Sequence, residues 1–177
     1  MKKLIALAPQ SEISGRLVLA FTQNLNRNEI NPILRKYNLE PTDPDGWYPQ
    51  QHLLDVFRDI QDGRTNVSQN LVAIGMKGSE TAAYPPEIFS IETGLRALPV
   101  IHELNHRNIP NVGREYEVQM LGKNHIQVTN RSPYPNDTLY GFVWGIANRF
   151  QPVNGKFNLS VVDRQAEDAT FDITWTD

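Results

Sequence analysis

Cysteine is absent from this 177-residue chain. Its absence excludes thiol catalysis, iron–sulfur clusters, zinc sites built from cysteine and a disulfide framework. No apolar run approaches the ~20 residues that span a bilayer, and the run before Pro9 is too short for a secretory signal. The formal net charge is −3 and no basic stripe is present, which disfavours binding to nucleic acid phosphates. We expect a soluble, cytoplasmic protein without a membrane span.

The composition is that of an ordinary globular domain, with 40% hydrophobic and 21% charged residues. The length fits a single domain over residues 1–177. The hydrophobic pattern changes near Pro110, because helical periodicity dominates before this residue and short alternating segments follow it. Five helices are predicted in this first part. One begins near Ser11 or Ser14, and two cover 30–37 and 49–60. A fourth runs from Asn66 or Ser68 to Gly75, and a fifth covers 85–106 with a bend or split at Gly94 and Pro99.

The alternating segments of 110–177 predict the order strand, strand, helix, strand, strand. A hairpin covers 116–130 around a turn at 122–124, a helix runs from about Asp137 to Phe150, and two strands cover 156–162 and 169–175. We therefore expect an α+β fold. Its N-terminal helical part packs on a C-terminal four-stranded antiparallel sheet, with one helix between the two hairpins.

The string His102-Glu103-Leu104-Asn105-His106 matches the H-E-x-x-H pattern of zinc hydrolases. On a helix, the two imidazoles share a face and can bind one Zn²⁺, while Glu103 acts as the base on a bound water. The flanks differ from those of zinc peptidases, because Pro99 lies three residues before the motif and a charged residue follows it. The alternative is a helix end at which His102 is packed and His106 interacts favourably with the helix dipole.

Two further segments could contact a ligand. Arg131, Ser132 and Tyr134 cluster at a proline-rich corner, where they could bind an anion or a carboxylate, or form a stiff capped turn with a solvated arginine. Gly141 and Gly145 lie four residues apart on the following helix. Their spacing indicates a close approach by the sheet, another helix or a flat ligand, and packing against the sheet is the default interpretation.

Three runs along the chain, read in order, carry a family resemblance. They are Leu39-Glu40-Pro41 with Tyr48-Pro49 and the two helices that follow, Val100-Ile101-His102-Glu103-Leu104, and Leu139 to Ala147 followed by Phe150. The chain resembles the H-NOX (haem nitric-oxide/oxygen-binding) family over nearly its whole length. It also resembles the related ligand-binding fold of four-vinyl-reductase domains and TRAPP subunits.

This resemblance implies a stand-alone sensory domain rather than an enzyme, with haem as a candidate cofactor and His102 as the metal ligand. The further implied contacts are Arg131, Ser132, Tyr134, Tyr140, Gly141 and Trp144. The Tyr-x-Ser-x-Arg motif with which the family holds the haem propionates is not present, because arginine, serine and tyrosine occur here in a different order and spacing. The Pro-Tyr-Pro corner is closer to the four-vinyl-reductase side of the group.

Without haem, the same cleft would hold another small apolar or flat ligand, with Arg131 or Tyr134 at its polar end. A signal would then pass to a separate signalling protein or through self-association. Two alternatives stay open at this point, a zinc-dependent hydrolase and a non-catalytic assembly module of TRAPP-like fold.

Overall fold

The computed structural model describes residues 3–63, 67–110, 114–163 and 167–176. Within the N-terminal part of these ranges, six helices alternate with three short strands. The elements are β1 (Glu12–Ser14), α1 (Gly15–Asn24), α2 (Arg27–Lys36), β2 (Trp47–Pro49), α3 (Gln50–Gly63), α4 (Val67–Thr81), α5 (Ile91–Arg96), α6 (Leu98–Asn105) and β3 (His106–Arg107). The predicted helical part is therefore confirmed.

The first two helices begin for identifiable reasons. Ser14 caps α1, because its side chain accepts a hydrogen bond from the Arg16 N–H at 3.2 Å. Helix α2 begins earlier than predicted, so Pro32 lies beyond its first turn. Ile30 and Leu34 of this helix are almost fully buried, and their burial offsets the proline's cost in a helix interior.

The later helices differ from the prediction in extent. Helix α4 does not end at Gly75 but continues to Thr81, and Asn66, one of its two predicted caps, lies outside the described residues. The predicted helix over 85–106 is two helices. The first begins only at Ile91, where Ser90 and Thr93 form a capping box, and Pro99 lies in the first turn of the second.

A small three-stranded sheet, which was not predicted from the sequence, connects the beginning of the helical part to its end. Strand β1 pairs antiparallel with both β2 and β3, so that Ile13 lies opposite Tyr48 and His106. Strands of two or three residues are too short to show alternation in a sequence. The consequence is that the chain leaves α6 directly into a paired strand, which fixes His106 in the interior.

The C-terminal part agrees closely with the prediction. Its elements are β4 (Tyr116–Gly122), β5 (His125–Asn130), α7 (Asn136–Phe150), β6 (Phe157–Val161) and β7 (Thr170–Trp175). The four strands pair antiparallel in the order β4-β5-β7-β6. Residues Ile126, Val128, Phe171 and Ile173 are buried on the face that α7 covers. The α+β fold with a four-stranded antiparallel sheet is confirmed.

Two hydrophobic cores lie side by side. The front core is formed mainly by α1 to α4, with Phe21, Leu54 and Phe57 among its buried side chains. The back core is formed by α5, α6, α7 and the four-stranded sheet, with Leu95 and Val143 among its buried side chains.

Helices α4 and α7 touch through their backbones. A Cβ atom on Gly75 would lie 1.9 Å from the carbonyl oxygen of Thr138, and one on Gly141 would lie 2.0 Å from that of Val72. A Cβ on Gly145 would lie 1.9 Å from Ser79 Oγ. We call Gly75, Gly141 and Gly145 the glycine seam. The default interpretation of Gly141 and Gly145 was wrong, because their close neighbour is helix α4 and not the sheet.

Within the described ranges, no helix is both long enough and apolar enough to cross a membrane. The cytoplasmic location stays a prediction.

Candidate functional site

A cavity of about 80 Å³ lies at the junction of the front and back cores. Five helices contribute to its wall, and most of the side chains that face it are apolar. Front-core residues Leu17, Phe21, Leu53, Phe57 and Ile74 line it together with Leu98, Ile101, His102, Leu139 and Phe142 from α6 and α7.

His102 brings the main polar group to this wall. The residue lies on α6 and is only 4% exposed. Its ring stacks on that of His106, with centroids 3.8 Å apart and planes 15° from parallel, and it meets the Tyr116 ring edge-on at 5.4 Å. The Nε2 atom of His102 is buried and has no hydrogen-bond partner among the described residues.

His106 is the centre of a buried hydrogen-bond chain. Its Nδ1 lies 2.8 Å from the carbonyl oxygen of His102, which can only accept, so Nδ1 carries the proton. Its Nε2 is then the acceptor for the Tyr134 hydroxyl at 2.6 Å. That hydroxyl oxygen accepts from Gln50 Nε2 at 3.1 Å, and Gln50 Oε1 accepts from the Leu7 N–H at 2.9 Å. We call Gln50, His102, His106 and Tyr134 the histidine network.

The network is electrically neutral near pH 7. Burial lowers the pKa of His106 to about 4, although the hydrogen bond to the His102 carbonyl opposes this shift. Burial also lowers the pKa of His102 well below its usual value, and the neighbouring His106 adds to the effect. Burial raises the pKa of Tyr134 above its usual range. His106 interacts with the C-terminal end of α6 as a neutral N–H donor to the His102 carbonyl and not as an imidazolium.

Two further lining residues carry polar side chains. Thr138 lines the cavity from the first turn of α7, and its Oγ1 is buried without a hydrogen-bond partner among the described residues. Asn105 also lines the cavity, but its side chain is fully engaged. It bonds to the N–H and C=O of Ala83 and to the carbonyl of Ile101, and so ties α6 to the end of α4.

Two of the predicted site residues line the cavity, and the others do not. His102 and Tyr134 line the cavity. Ser132 is buried close by, but its Oγ donates to Asn130 Oδ1 at 2.6 Å. Arg131 is exposed and pairs with Glu117 on the outer surface.

The three predicted residues of α7 also lie away from the cavity. Tyr140 packs against Phe171 of the sheet, and Trp144 packs against Phe157. Gly141 belongs to the glycine seam. Contact of these side chains with a ligand stays a prediction, and their present neighbours are protein groups.

The zinc motif has a geometry unlike that of a hydrolase site. The two imidazoles are buried and stacked, and His106 Nε2 is occupied by the Tyr134 hydroxyl. Glu103, the expected base, is exposed on the outer side of α6. Among the described residues, no group of three metal-binding side chains is close enough to hold an ion. The zinc-hydrolase alternative draws no support from this arrangement.

Sequence reasoning missed three members of the site, namely Gln50, Asn130 and Thr138. Gln50 opens α3 with its side chain fully buried, and Asn130 ends β5 fully buried. The sequence contains only a weak indication, and it concerns Asn130. Asn130 lies on the inward-facing phase of the strand, with Ile126 and Val128, where a polar residue needs a specific partner.

Similarity to known proteins is found in the fold and not in the sequence. No protein-family model matches the sequence, and no curated protein matches it. Solved structures do match. An H-NOX protein from S. oneidensis in the Fe(II)NO ligation state has 16% sequence identity and a TM-score of 0.67, over 93% of this chain and 100% of that chain.

Two further structures show the same likeness. A Cs H-NOX mutant with 4-cyano-L-phenylalanine has 14% identity and a TM-score of 0.62, over 92% of this chain and 94% of that chain. A K. algicida H-NOX mutant in the Fe(II) unliganded state has 15% identity and a TM-score of 0.61, over 93% and 97%. The chain therefore has an H-NOX-like fold, as the sequence resemblance predicted.

Haem, the cofactor that the resemblance implies, does not fit the cavity in this conformation. Its volume of about 80 Å³ is about half that of the roughly 150 Å³ cavity that holds benzene, and a porphyrin is several times larger than benzene. Among the residues that the structure describes, no lysine or arginine lines the cavity to pair with the two propionates. Of the described lining residues, His102 meets one requirement of haem, because its imidazole is neutral.

The corner that would hold the propionates is also occupied. At the spacing of the family's Tyr-x-Ser-x-Arg motif, this chain has Asn130, Ser132 and Tyr134. Only the serine matches, and Asn130 Oδ1 accepts from both the backbone N–H and the hydroxyl of Ser132. The Tyr134 hydroxyl is engaged by His106 and Gln50. The side chains of Asn130, Ser132 and Tyr134 are therefore engaged with their own neighbours rather than with a carboxylate.

Proposed function

We propose that this chain is a non-catalytic, small-ligand-binding sensory domain whose ligand occupies the cavity between the two cores. The observation that carries the proposal is the apolar cavity between the two cores, whose wall includes the neutral, buried imidazole of His102. A cavity lined mainly by apolar side chains with a few polar groups is typical of a site for a small molecule.

The sensory part of the proposal is supported by the H-NOX-like fold and by the connections of the cavity wall. Displacement of His102 would be transmitted to His106, because the rings stack and His106 bonds to the His102 carbonyl. Tyr134 and Gln50 continue the chain to the backbone of Leu7 in the N-terminal segment. The signal would pass from there to a separate protein or through self-association.

The sequence left two ligand classes open, haem and another small apolar molecule. The size of the cavity and the lack of a lysine or arginine among its described lining residues support the second class. A TRAPP-like assembly module would have an interior filled by side chains. The presence of a cavity therefore supports ligand binding rather than a role in assembly alone. The zinc hydrolase requires a base beside the metal, whereas Glu103 lies on the outer surface.

The first test uses the full chain, produced in cells supplied with a haem precursor. We expect no Soret band in the absorption spectrum. Xenon, a small apolar probe, is expected to shift the methyl resonances of cavity residues such as Ile74 and Leu139 in NMR spectra. A Soret band that disappears in His102→Leu would show haem binding and contradict the smaller ligand.

The second test narrows the cavity. A Cβ on Gly78 would meet the Phe142 ring at an ordinary 3.5 Å, so Gly78→Ala is expected to fold and to reduce the xenon shifts. Gly63→Ala is the matched control, because a Cβ there meets nothing within 4 Å and the residue lies outside the cavity lining. If wild-type protein takes up neither xenon nor any co-purifying molecule detected by native mass spectrometry, the proposal is wrong.

A further inference from the structure

Strand β4 lies at an open edge of the four-stranded sheet. Strand β5 pairs with it on one side, and no strand within the described ranges pairs with it on the other. All seven residues of β4 are exposed or half-buried. Sheet edges are commonly protected from other chains by proline or lysine, and the sequence has neither over 116–122. This edge is therefore accessible to a second strand.

The hydrogen bonds of the ladder show which backbone groups face the open edge. The Arg131 N–H donates to the Glu115 carbonyl at 2.7 Å, one position beyond the first residue pair of β4 and β5. Hydrogen-bonded pairs alternate with non-hydrogen-bonded pairs along an antiparallel ladder. The N–H and C=O groups of Tyr116, Val118 and Met120 therefore point away from β5. Water hydrates them in an isolated chain, and a second strand can replace that water.

Two-fold symmetry and charge select one register for a second copy of the chain. With the axis at Val118, Val118 faces its own copy and Tyr116 faces the Met120 of the second copy, so that each of these pairs exchanges two N–H···O bonds. Glu117 then lies opposite Gln119, whose amide can donate to the carboxylate. An axis one residue earlier would place the two Glu117 carboxylates opposite each other, which is destabilising.

The regular part of β4 matches this register in length. The pairing with β5 shifts between Met120 and Gly122, so the regular strand ends at Met120. An axis one residue later would need Gly122, beyond this irregularity, as the partner of Tyr116. The axis at Val118 is thus the one that pairs all three outward-facing residues with each other.

Exposed apolar side chains lie on β4 and on the helix beside it. Met120 is 40% exposed and shares a face of the strand with Tyr116, whose ring meets His102 of α6. Val100 and Leu104, one turn apart on α6, are 43% and 44% exposed. Burial of such side chains adds to the stability of an interface.

We infer that this chain forms a dimer in which the β4 strands of two copies pair antiparallel about an axis at Val118 and join the two sheets into one. A two-fold pairing closes on itself, so it yields a dimer and not a filament. As an interface, the dimer depends on the edge alone. As the route of a signal it rests on the proposed function, since Tyr116 both lines the cavity and begins the paired strand.

Sedimentation equilibrium of the full chain tests the dimer. We expect a monomer–dimer equilibrium at protein concentrations from about 10 μM to about 1 mM, the range for a small interface. Val118→Pro removes the N–H groups that pair across the axis, and it costs no bond to β5 because that N–H points outward. The dissociation constant should rise about thirtyfold, which corresponds to the loss of two hydrogen bonds.

Met120→Lys is a second variant that leaves the backbone groups unchanged. It places a charge on the edge, and the dissociation constant should rise at least about tenfold. Val162→Lys is the matched control, because Val162 is 59% exposed at the end of β6, the opposite edge of the sheet. This control should dimerise like the wild type. The urea midpoint of each variant shows that its monomer is folded.

The absence of cysteine allows a direct test of the register. Under mild oxidation, Val118→Cys should form a disulfide between two copies, because residues in a hydrogen-bonded pair have Cα atoms about 5.5 Å apart, within disulfide range. Val162→Cys should remain without an intermolecular disulfide at the same concentration.

The outcomes separate this inference from the proposed function. A wild type that stays monomeric over the whole concentration range overturns the inference. Dimers of unchanged affinity in both Val118→Pro and Met120→Lys also overturn it. Xenon uptake is measured on the same samples. A monomer that takes up xenon contradicts the dimer alone, and a dimer that excludes xenon contradicts the ligand cavity alone.

Discussion

The histidine network and the glycine seam both contribute to the wall of the cavity, and they are built in opposite ways. The network places four large polar side chains in the interior and gives each atom of the chain from Leu7 to His102 a defined role as donor or acceptor. The seam has almost no side chains, and its helices meet backbone to backbone. The position of one wall is thus set by hydrogen-bond geometry and that of the other by the lack of Cβ atoms.

The comparison explains why the cavity is small and has a defined shape. The seam holds α4 and α7 too close for a large flat ligand to separate them without loss of packing. His106 and Tyr134 also line the cavity, but their polar atoms are engaged within the network.

The largest effect is expected at the seam. Gly141→Ala places a Cβ 2.0 Å from the Val72 carbonyl oxygen, and backbone atoms cannot move aside without separating α4 from α7. We expect a loss of about 3 kcal/mol in the free energy of unfolding, measured by urea denaturation. Gly63→Ala, in open space, should lose nothing and can gain up to about 1 kcal/mol. Equal midpoints for the two variants would show that the seam is not tightly packed.

The network predicts a dependence of stability on pH. The pKa of His106 is about 4 in the folded chain and near 6.5 when unfolded, so the unfolded state binds more protons between these values. The stabilisation that the neutral His106 contributes is therefore fully present above about pH 6.5 and is lost as the pH falls toward 4. From pH 7 to pH 5, His106 alone should remove about 2 kcal/mol.

Urea midpoints at pH 7, 6 and 5 check this dependence. His106→Gln should flatten it, and His52→Gln, outside the network, should not. In NMR spectra of the wild type, the His106 ring should keep its neutral resonances down to pH 5. A ring that titrates near pH 6.5 would contradict the burial of His106.

The next largest effect on stability is expected from the loss of the Tyr134 hydroxyl in the histidine network. Tyr134→Phe removes the hydroxyl that donates to His106 and accepts from Gln50, and leaves both buried groups unpaired. We expect a loss of about 2 kcal/mol in urea denaturation. Tyr140→Phe is the matched control, because its hydroxyl lies 3.5 Å from the Leu159 carbonyl, and it should change stability by less than about 0.5 kcal/mol. If the two variants lose the same amount, the network does not stabilise the cavity wall.

The smallest effect is expected outside both regions. Arg131 and Glu117 form an exposed ion pair, so Arg131→Gln should cost less than about 0.5 kcal/mol. Xenon binding should not change, because Arg131 lies outside the cavity lining. Weaker xenon binding in this variant would support the ligand contact that the family resemblance implied for Arg131.

Regular elements were the predictable part of this molecule. The hairpin, the helix from Asp137 and the last two strands were predicted within a few residues, because alternating and helical periods persist long enough there to be recognised. The three-residue strands β1 and β2 and the two-residue strand β3 have no such period. Their pairing depends on residues far apart in the chain, such as Ile13 and His106.

The site was predictable in type but not in arrangement. An inward-facing His102 late in a helix before the sheet was predicted, and it is buried at the cavity. The stacking of His106 on it was not predicted, because a motif shows spacing and not which nitrogen finds a partner. Gly141 and Gly145 indicated a close approach, but only the folded chain shows that helix α4 makes it.

The sequence by itself determined the α+β order of elements, the one-sided sheet and the presence of an imidazole near the end of α6, since each follows from local periodicity and residue type. The tertiary structure alone decided the size of the cavity, the neutral state of the two histidines and the pairing of Tyr134 with His106. These properties depend on desolvation and on contacts between residues such as Gln50 and Tyr134, which are 84 positions apart in the chain.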